Sequence, residues 1–445
     1  AKEVIAAFFD DEERHVLSVS YDKLTLWDIK NGNMVKSFSC LEGGGYKSMV
    51  FKSNGRYILS AEHDNSIKVC NFSEGHEDKK YKGFTVPSKG HEIKRLKGHF
   101  TPITAMALSR DGKYALSGSE DRTIMLWDIP AGQCITSTMN LNPVTALAFS
   151  SDFRYVLVGD KNGGLNLLEV PSLKRIRKFI YEQLSYVTEI RDVAFSPGGK
   201  YALSASQGLI LWDVDTGKEV RMFEGYNNII YSAAFSPDGR YVLSGGGDLV
   251  LKLWNVSSGE LLRVFKGHKS PVTFVGFGSD GRRILSGSTD KTTKLWDTES
   301  GQEICQMIKF GSDDWKNPKN DWICITPEGY FNASKDGARY LNVRIGNDVC
   351  SIDQFFERFY NPAAVAQILS RQRTELADNI QKGFKTPPEV TILSPKSNEI
   401  FNSEEIELTV QAKDTGGGVS EVRLYHNGSV IGEEKRGIKI VEATP

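Results

Sequence analysis

The chain repeats itself at a period near 42 residues, and no other feature narrows its possible folds as much. A dipeptide of Trp-Asp type closes a short apolar strand at Trp27-Asp28, Trp127-Asp128, Trp212-Asp213, Trp254-Asn255 and Trp296-Asp297, with weaker copies at Cys70-Asn71 and Leu168-Glu169. Successive intervals are 43, 57, 41, 44, 42 and 42 residues, so a single insertion after Cys70 accounts for the one departure. In the same phase runs an alternating segment ending in a turn: ITAMALSRDG at 103–112, VTALAFSSDF at 144–153, IRDVAFSPGG at 190–199, IYSAAFSPDG at 230–239 and VTFVGFGSDG at 272–281. A second short strand, the Trp-Asp strand, a turn such as Ala131-Gly132 or Ser300-Gly301, and a fourth strand follow. Alternation at period two gives half-buried strands, and the Asp-Gly and Gly-Gly pairs give tight turns. A four-stranded unit of this size cannot bury its own apolar faces, so successive units must stack on one another.

Period, dipeptide and four-strand order together resemble the WD-repeat family over residues 1 to about 310, and Gly98-His99 and Gly267-His268 supply its second signature. The resemblance implies a β-propeller. It also implies two buried hydrogen-bonded sets inside the blades: His99, Ser117, Asp121 and Trp127, and His268, Ser286, Asp290 and Trp296, both at spacings of 18, 4 and 6. In the repeat around Trp254, Tyr226 stands where His would be, while Ser244 and Asp248 keep their places. A Ser, a His and an Asp in one cluster invite a catalytic reading. Duplication at one spacing argues for scaffolding, because buried polar groups that satisfy one another hold a blade together. No catalytic residue is expected.

The seven repeats each hold four strand-like segments. After them, DWICITPEGYFNASKDGARYLNVRIGN (321–347) reads as an eighth copy, with Trp322 to Thr326 as its inner strand and no fourth strand. Propellers often close by pairing the two chain ends in one blade, which leaves no open edge. The chain opens on an inner strand, VIAAFF (4–9), without an initiator Met, which suggests residues upstream. An all-β propeller of eight blades over 1–347 is therefore favoured, with seven blades and a cap at 313–345 as the alternative. Residues 348–384 read as a helical linker, with Asn361-Pro362 as a helix start, and 385–445 as an immunoglobulin-like β-domain. Only about 58 residues run from Pro388 to the end, against about 100 for such a sandwich, so it is expected to be incomplete.

The segments TPEGYFNAS, YLNVRIGN, IDQFFERFY, PPEVTILSP and GGGVSEVRLYHNG, within 310–435, resemble the region that precedes the peptidase domain in bacterial caspase-family proteins with N-terminal WD repeats. That resemblance implies that the propeller senses for, or regulates, a caspase-like effector. No Gln-Ala-Cys-type segment or paired His occurs in this chain, so nothing catalytic carries over.

Composition limits the partners. Fifty-five basic and 56 acidic residues leave a formal charge of -1, which argues against a polyanion as the main ligand. The six cysteines are scattered without CxxC spacing, so no metal site or disulfide framework is expected, and no cofactor. Without an apolar run of 18 residues or a signal peptide, no membrane partner and a cytoplasmic location are expected. Protein partners remain, on two sets of residues. Family geometry points to the residue before the Asp at this position of a repeat, Tyr21, His63, Glu120 and Thr289, and to Phe100 and Lys269 after the Gly-His pairs. The insertion within 73–97 carries Lys79, Lys80, Lys82, Lys89, Lys94, Arg95 and Lys97, with Tyr81 and Phe84 as aromatic anchors. It reads either as a solvated hairpin or as a basic arm. The expected function is a non-catalytic, protein-binding scaffold for a protease effector. A stand-alone scaffold, or nucleic-acid binding through the arm, is the alternative.

Overall fold

The computed structural model describes residues 3–10, 13–20, 23–38, 49–51, 57–71, 91–180, 188–225, 228–311, 320–345, 348–351, 356–370, 389–394, 409–413, 425–426 and 429–430. Seven antiparallel sheets follow one another along the chain, each with its first four strands in sequence order. They are blades one (4–38), two (49–96), three (103–139), four (144–179), five (192–223), six (230–266) and seven (272–311). Each innermost strand leads the repeat; in blade three the four are Ile103–Leu108, Tyr114–Ser119, Thr123–Asp128 and Gln133–Met139.

The core lies between blades. One cluster joins Leu59, Ile67 and Leu96 of blade two to Met106 and Trp127 of blade three. Another joins Leu203, Leu209 and Phe223 of blade five to Ala233, Val242 and Trp254 of blade six. At successive interfaces a Phe ending one blade meets the edge of the next blade's Trp: Phe179 with Trp212 at 5.6 Å, Phe223 with Trp254 at 5.6 Å and Phe265 with Trp296 at 5.8 Å between ring centroids. This explains why the repeat keeps Trp at that position: a buried aromatic there contributes to two blades at once.

A second inter-blade device is polar. The outer strand of one blade sends a basic side chain to the turn between the third and fourth strands of the next. Arg177 donates to Val214 O at 2.9 Å and Arg221 to Ser257 O at 2.7 Å, while Lys94 donates to Ile129 O at 3.2 Å and to Pro130 O. The turn must let the stem past. At Gly259, with φ +76°, a Cβ would stand 2.1 Å from the Arg221 guanidinium, so glycine serves both the backbone conformation and the contact.

Seven blades close the ring, not eight. Blade seven packs straight onto blade one: the Thr273 hydroxyl donates to Val4 O at 2.6 Å and the Phe8 and Phe274 rings lie 5.2 Å apart. No gap remains there for another sheet. The segment read as an eighth blade adds instead to blade seven, where Asn320–Ile325 pairs with the outer strand Glu303–Gly311, and Phe331–Ala333 pairs outside that. Asn342–Ile345, within the stretch 321–347 read as that blade, pairs with Asp348–Ser351 in a separate two-stranded sheet. Nor does blade one borrow a strand, since all four of its own lie within 4–38.

These added strands act as a clasp over the seam between blades seven and one. Trp322 meets Trp27 edge-on at 6.0 Å, in the role that a Phe plays elsewhere. Asn332 donates to Asn31 O at 3.1 Å and to Asn33 Oδ1 at 2.7 Å, in the role of the Arg struts. Cys305 occupies the strut position of blade seven, opposite Leu295, as Arg221 is opposite Leu211. The helix Pro362–Leu369 starts on Asn361, whose side chain accepts from Ala364 N, and buries Ala364, Val365 and Leu369. Arg283 of blade seven donates to Leu369 O at its end.

The chain divides into two compact units, 1–338 with 359–377, and 339–358 with 378–445. In the second, Glu389–Ser394 pairs antiparallel with Thr409–Lys413, and Tyr425–His426 with Ser429–Val430 in a two-residue hairpin.

Candidate protein-binding face

Each inter-blade loop and each turn between second and third strands emerges on the same side of the ring, because the strands alternate in direction. The two polar sets pin these loops. The Trp127 indole donates to Ser117 Oγ at 2.8 Å, and Ser117 lies 2.7 Å from His99 Nε2. His99 Nδ1 is 3.2 Å from Asp121 Oδ2, which also accepts from Phe100 N at 3.0 Å. Blade seven repeats the arrangement: Trp296 to Ser286 at 2.8 Å, Ser286 to His268 at 2.7 Å, His268 to Asp290 at 2.8 Å, and Lys269 N to Asp290 at 2.9 Å. An ionised Asp can only accept, so Nδ1 carries the imidazole proton and Nε2 accepts from the Ser hydroxyl. That Ser is completely buried and already accepts from an indole, so no substrate reaches it. The sets tie loop backbone to blade interior.

Electrostatics agree with a structural task. Burial depresses the His99 pKa against the pull of Asp121, keeping the ring neutral. Burial alone would raise the Asp290 carboxyl. Hydrogen bonds from His268, Thr292 and Lys269 N more than offset that and hold it far below the usual carboxylate range. In blade six Lys252 takes up the load: its ammonium lies 2.6 Å from Asp248 Oδ2 and 2.8 Å from Gly225 O. Tyr226 lies outside the described residues.

The candidate binding residues fall into three groups. Phe100, Lys269, Glu120 and His63 are exposed on this loop face, and Asn65 Nδ2 holds Phe100 O at 3.0 Å. Thr289 is half-buried and tied to Pro271 O through its main-chain N–H at 3.1 Å, so it presents little surface. Tyr21, Lys79, Lys80, Tyr81 and Phe84 lie outside the described residues, as does the insertion apart from its last part. That part is the fourth strand of blade two, His91–Leu96, paired with Ile67–Asn71. It is therefore blade rather than arm: Lys94 is a strut and Arg95 pairs with Asp64 at 3.0 Å.

Sequence reasoning missed three residues. Among the described residues the four most exposed large apolar side chains are Phe100 at 85%, Met139 at 74%, Leu141 at 68% and Ile180 at 67%. All four sit in, or border, the successive connections from blade two to three, three to four and four to five. Apolar residues between repeat strands carry no periodic trace of their own. The repeat register, which marks those loops, is the signal that could have found them.

Models of known families agree with this architecture. The WD domain, G-beta repeat model matches residues 90–128, 217–255 and 259–297, three of the seven blades, and the bacterial Ig domain model matches 388–438. Among curated proteins, WD repeat-containing protein 18 of Danio rerio is 27% identical over 127 residues, 28% of each chain. Its Bos taurus counterpart is 27% identical over 124 residues, 27% of each chain. The chain spans little more than a quarter of the length of the curated relatives it matches. No helix among the described residues is long and apolar enough to cross a membrane. Its polar sets, its period and its repeat matches together show a β-propeller that carries WD repeats.

Proposed function

We propose that the loop face over blades three and four binds a protein partner and that the propeller thereby positions a proteolytic effector. One observation carries the binding reading: Phe100, Leu141 and Ile180, with Met139 at the end of its strand, are exposed in or beside consecutive inter-blade connections. Large apolar groups clustered outside a fold mark interaction sites, and a Phe held by hydrogen bonds to its backbone loses little entropy when covered. Glu120 and His63 supply a polar rim. The effector part rests on the resemblance of 310–435 to caspase-family proteins, in which the peptidase domain is the nearest partner. The interaction is protein to protein: the neutral charge balance gives no field to attract nucleic acid.

The test is capture from cell extract with the chain as bait, compared with the double variant Phe100→Asp, Leu141→Asp. Loss of a dominant aromatic anchor costs about 2 kcal/mol or more, a fall in affinity of about 30-fold. A protein retained by the parent and lost with the variant supports the face, and a caspase-like peptidase among the lost proteins supports the effector. Equal retention by both chains overturns the assignment.

A further inference from the structure

We propose that the outer edge of blade three is a self-association surface, on which the strand Gln133–Met139 pairs antiparallel with the same strand of a second copy of this chain.

An outer propeller strand exposes unpaired N–H and C=O groups, and proteins commonly guard such edges with charge. Six outer strands here are guarded: Lys36 in blade one, Glu92, Lys94 and Arg95 in two, Arg175, Arg177 and Lys178 in four, Glu219 and Arg221 in five, Arg263 and Lys266 in six, Glu303 and Lys309 in seven. Blade seven is also covered by Asn320–Ile325. Blade three alone reads QCITSTM, with no charge along seven residues. It ends its sheet, and no described strand pairs with its outer side. Even the strut position is neutral: Thr136 stands opposite Leu126, where the neighbouring blades place Lys94 and Arg177.

The geometry favours a copy of this strand over an arbitrary partner. Asn140 N donates inward to Arg122 O, so alternation turns the backbone groups of Thr138 inward and those of Ser137 and Met139 outward. A two-fold axis at Ser137 makes Ser137 its own partner in a hydrogen-bonded pair. It then sets Ile135 against the copy's Met139, apolar against apolar, and Thr136 against the copy's Thr138, hydroxyl against hydroxyl. Gln133, Cys134, Ile135, Ser137 and Met139 are all exposed, so nothing described must move. The same operation on blades four, five or six would set an Arg against or beside its own copy. One strand pair with flanking Met139 and Leu141 buries less than the roughly 1,200–2,000 Å² of a standard interface. The dimer is accordingly weak and concentration-dependent.

Sedimentation velocity of the full chain between about 1 and 200 µM tests this, over the range where interfaces below standard size dissociate. A dimer that grows with concentration is expected, and Ser137→Lys should abolish it without changing the melting temperature, since Ser137 is exposed. Register is read by cross-linking. With Cys134→Ser as the parent, Ser137→Cys should form an intermolecular disulfide with oxidised glutathione, two thiols losing their protons and electrons as the oxidant becomes two thiols. Paired residues there lie about 5.5 Å apart between Cα atoms, within disulfide reach. Gln133→Cys, far from its own copy in this register, should cross-link no more than the parent. A monomer at every concentration, a dimer indifferent to Ser137→Lys, or equal cross-linking at both positions overturns the proposal. So does a monomer that loses a captured heterologous protein on Ser137→Lys, which would make that protein the occupant.

Discussion

The Thr273 hydroxyl donates to the Val4 carbonyl at 2.6 Å, joining inner strands that stand 269 residues apart in the chain. This contact lies at the centre of the ring, while the clasp of 320–333 and the helix Pro362–Leu369 hold the rim of the same seam. Their contributions should differ. Thr273→Val removes one hydroxyl and should cost about 1 kcal/mol. Trp322→Ala empties the space beside Trp27 and should cost about 3–5 kcal/mol. Chemical denaturation followed by far-UV circular dichroism measures both. Equal losses would mean that the clasp does not hold the seam.

Gly32 offers a sharper probe of the clasp. At Gly32 (φ +71°) a Cβ would lie 2.9 Å from Cys324 Sγ and 3.0 Å from Val365 Cγ1. Gly239 shares the φ of +71°, but a Cβ there meets only Pro197 at 3.5 Å. Both Gly→Ala changes carry the left-handed backbone cost of about 1–2 kcal/mol. Gly32→Ala adds overpacking of about 1–3 kcal/mol. The difference between their denaturation midpoints isolates the clasp contact.

The polar sets predict loss of stability alone. Ser286→Ala leaves the Trp296 indole N–H and His268 Nε2 without their shared partner inside blade seven, which should cost about 1–3 kcal/mol. Ser117→Ala should behave alike in blade three. Partner capture by the refolded variants should survive, because the loop backbone still hangs on Asp290 and Asp121. Selective loss of capture at full stability would give these serines a direct binding role.

Much of this was legible in the residues. Trp-Asp spacing located every described third strand, and the intervals of 18, 4 and 6 located both sets before any geometry. Blade number was not legible. Residues 320–333 do form strands, as their alternation says, but alternation cannot tell whether a strand starts a sheet or extends one. That depends on Trp27 receiving Trp322 and on Val4 meeting Thr273, contacts set by three-dimensional closure. The struts were hidden for a related reason: Arg177 and Arg221 look like ordinary solvated charges until the next blade's turn is in place. Lys94 and Arg95 misled in the opposite sense, since a basic run reads as an arm even when its side chains are already committed.

Asp192 makes the last prediction, on pH. It sits on the innermost strand of blade five, where Oδ2 accepts from Ala233 N at 2.9 Å and from the Ser232 hydroxyl at 3.1 Å, and Oδ1 from Val193 N at 2.9 Å. Burial outweighs these donors and pushes its pKa up to about 6 from 3.8. The folded state thus holds the Asp192 proton more tightly than the unfolded chain. Its contribution to stability is full below about pH 4 and is lost as pH rises through about 6. Asp192→Asn keeps an acceptor for Ser232 and Ala233 but has no charge to bury, so it should be more stable than the parent at pH 7. Two pKa units correspond to about 3 kcal/mol, reduced by the poorer match of the amide to Val193 N, which leaves about 1–2 kcal/mol. Urea midpoints of both chains at pH 4, 5, 6 and 7 should show the gap opening with pH. A constant gap would show that Asp192 is ionised as readily in the ring as in the unfolded chain, and one that closes towards pH 7 that it is ionised more readily in the ring.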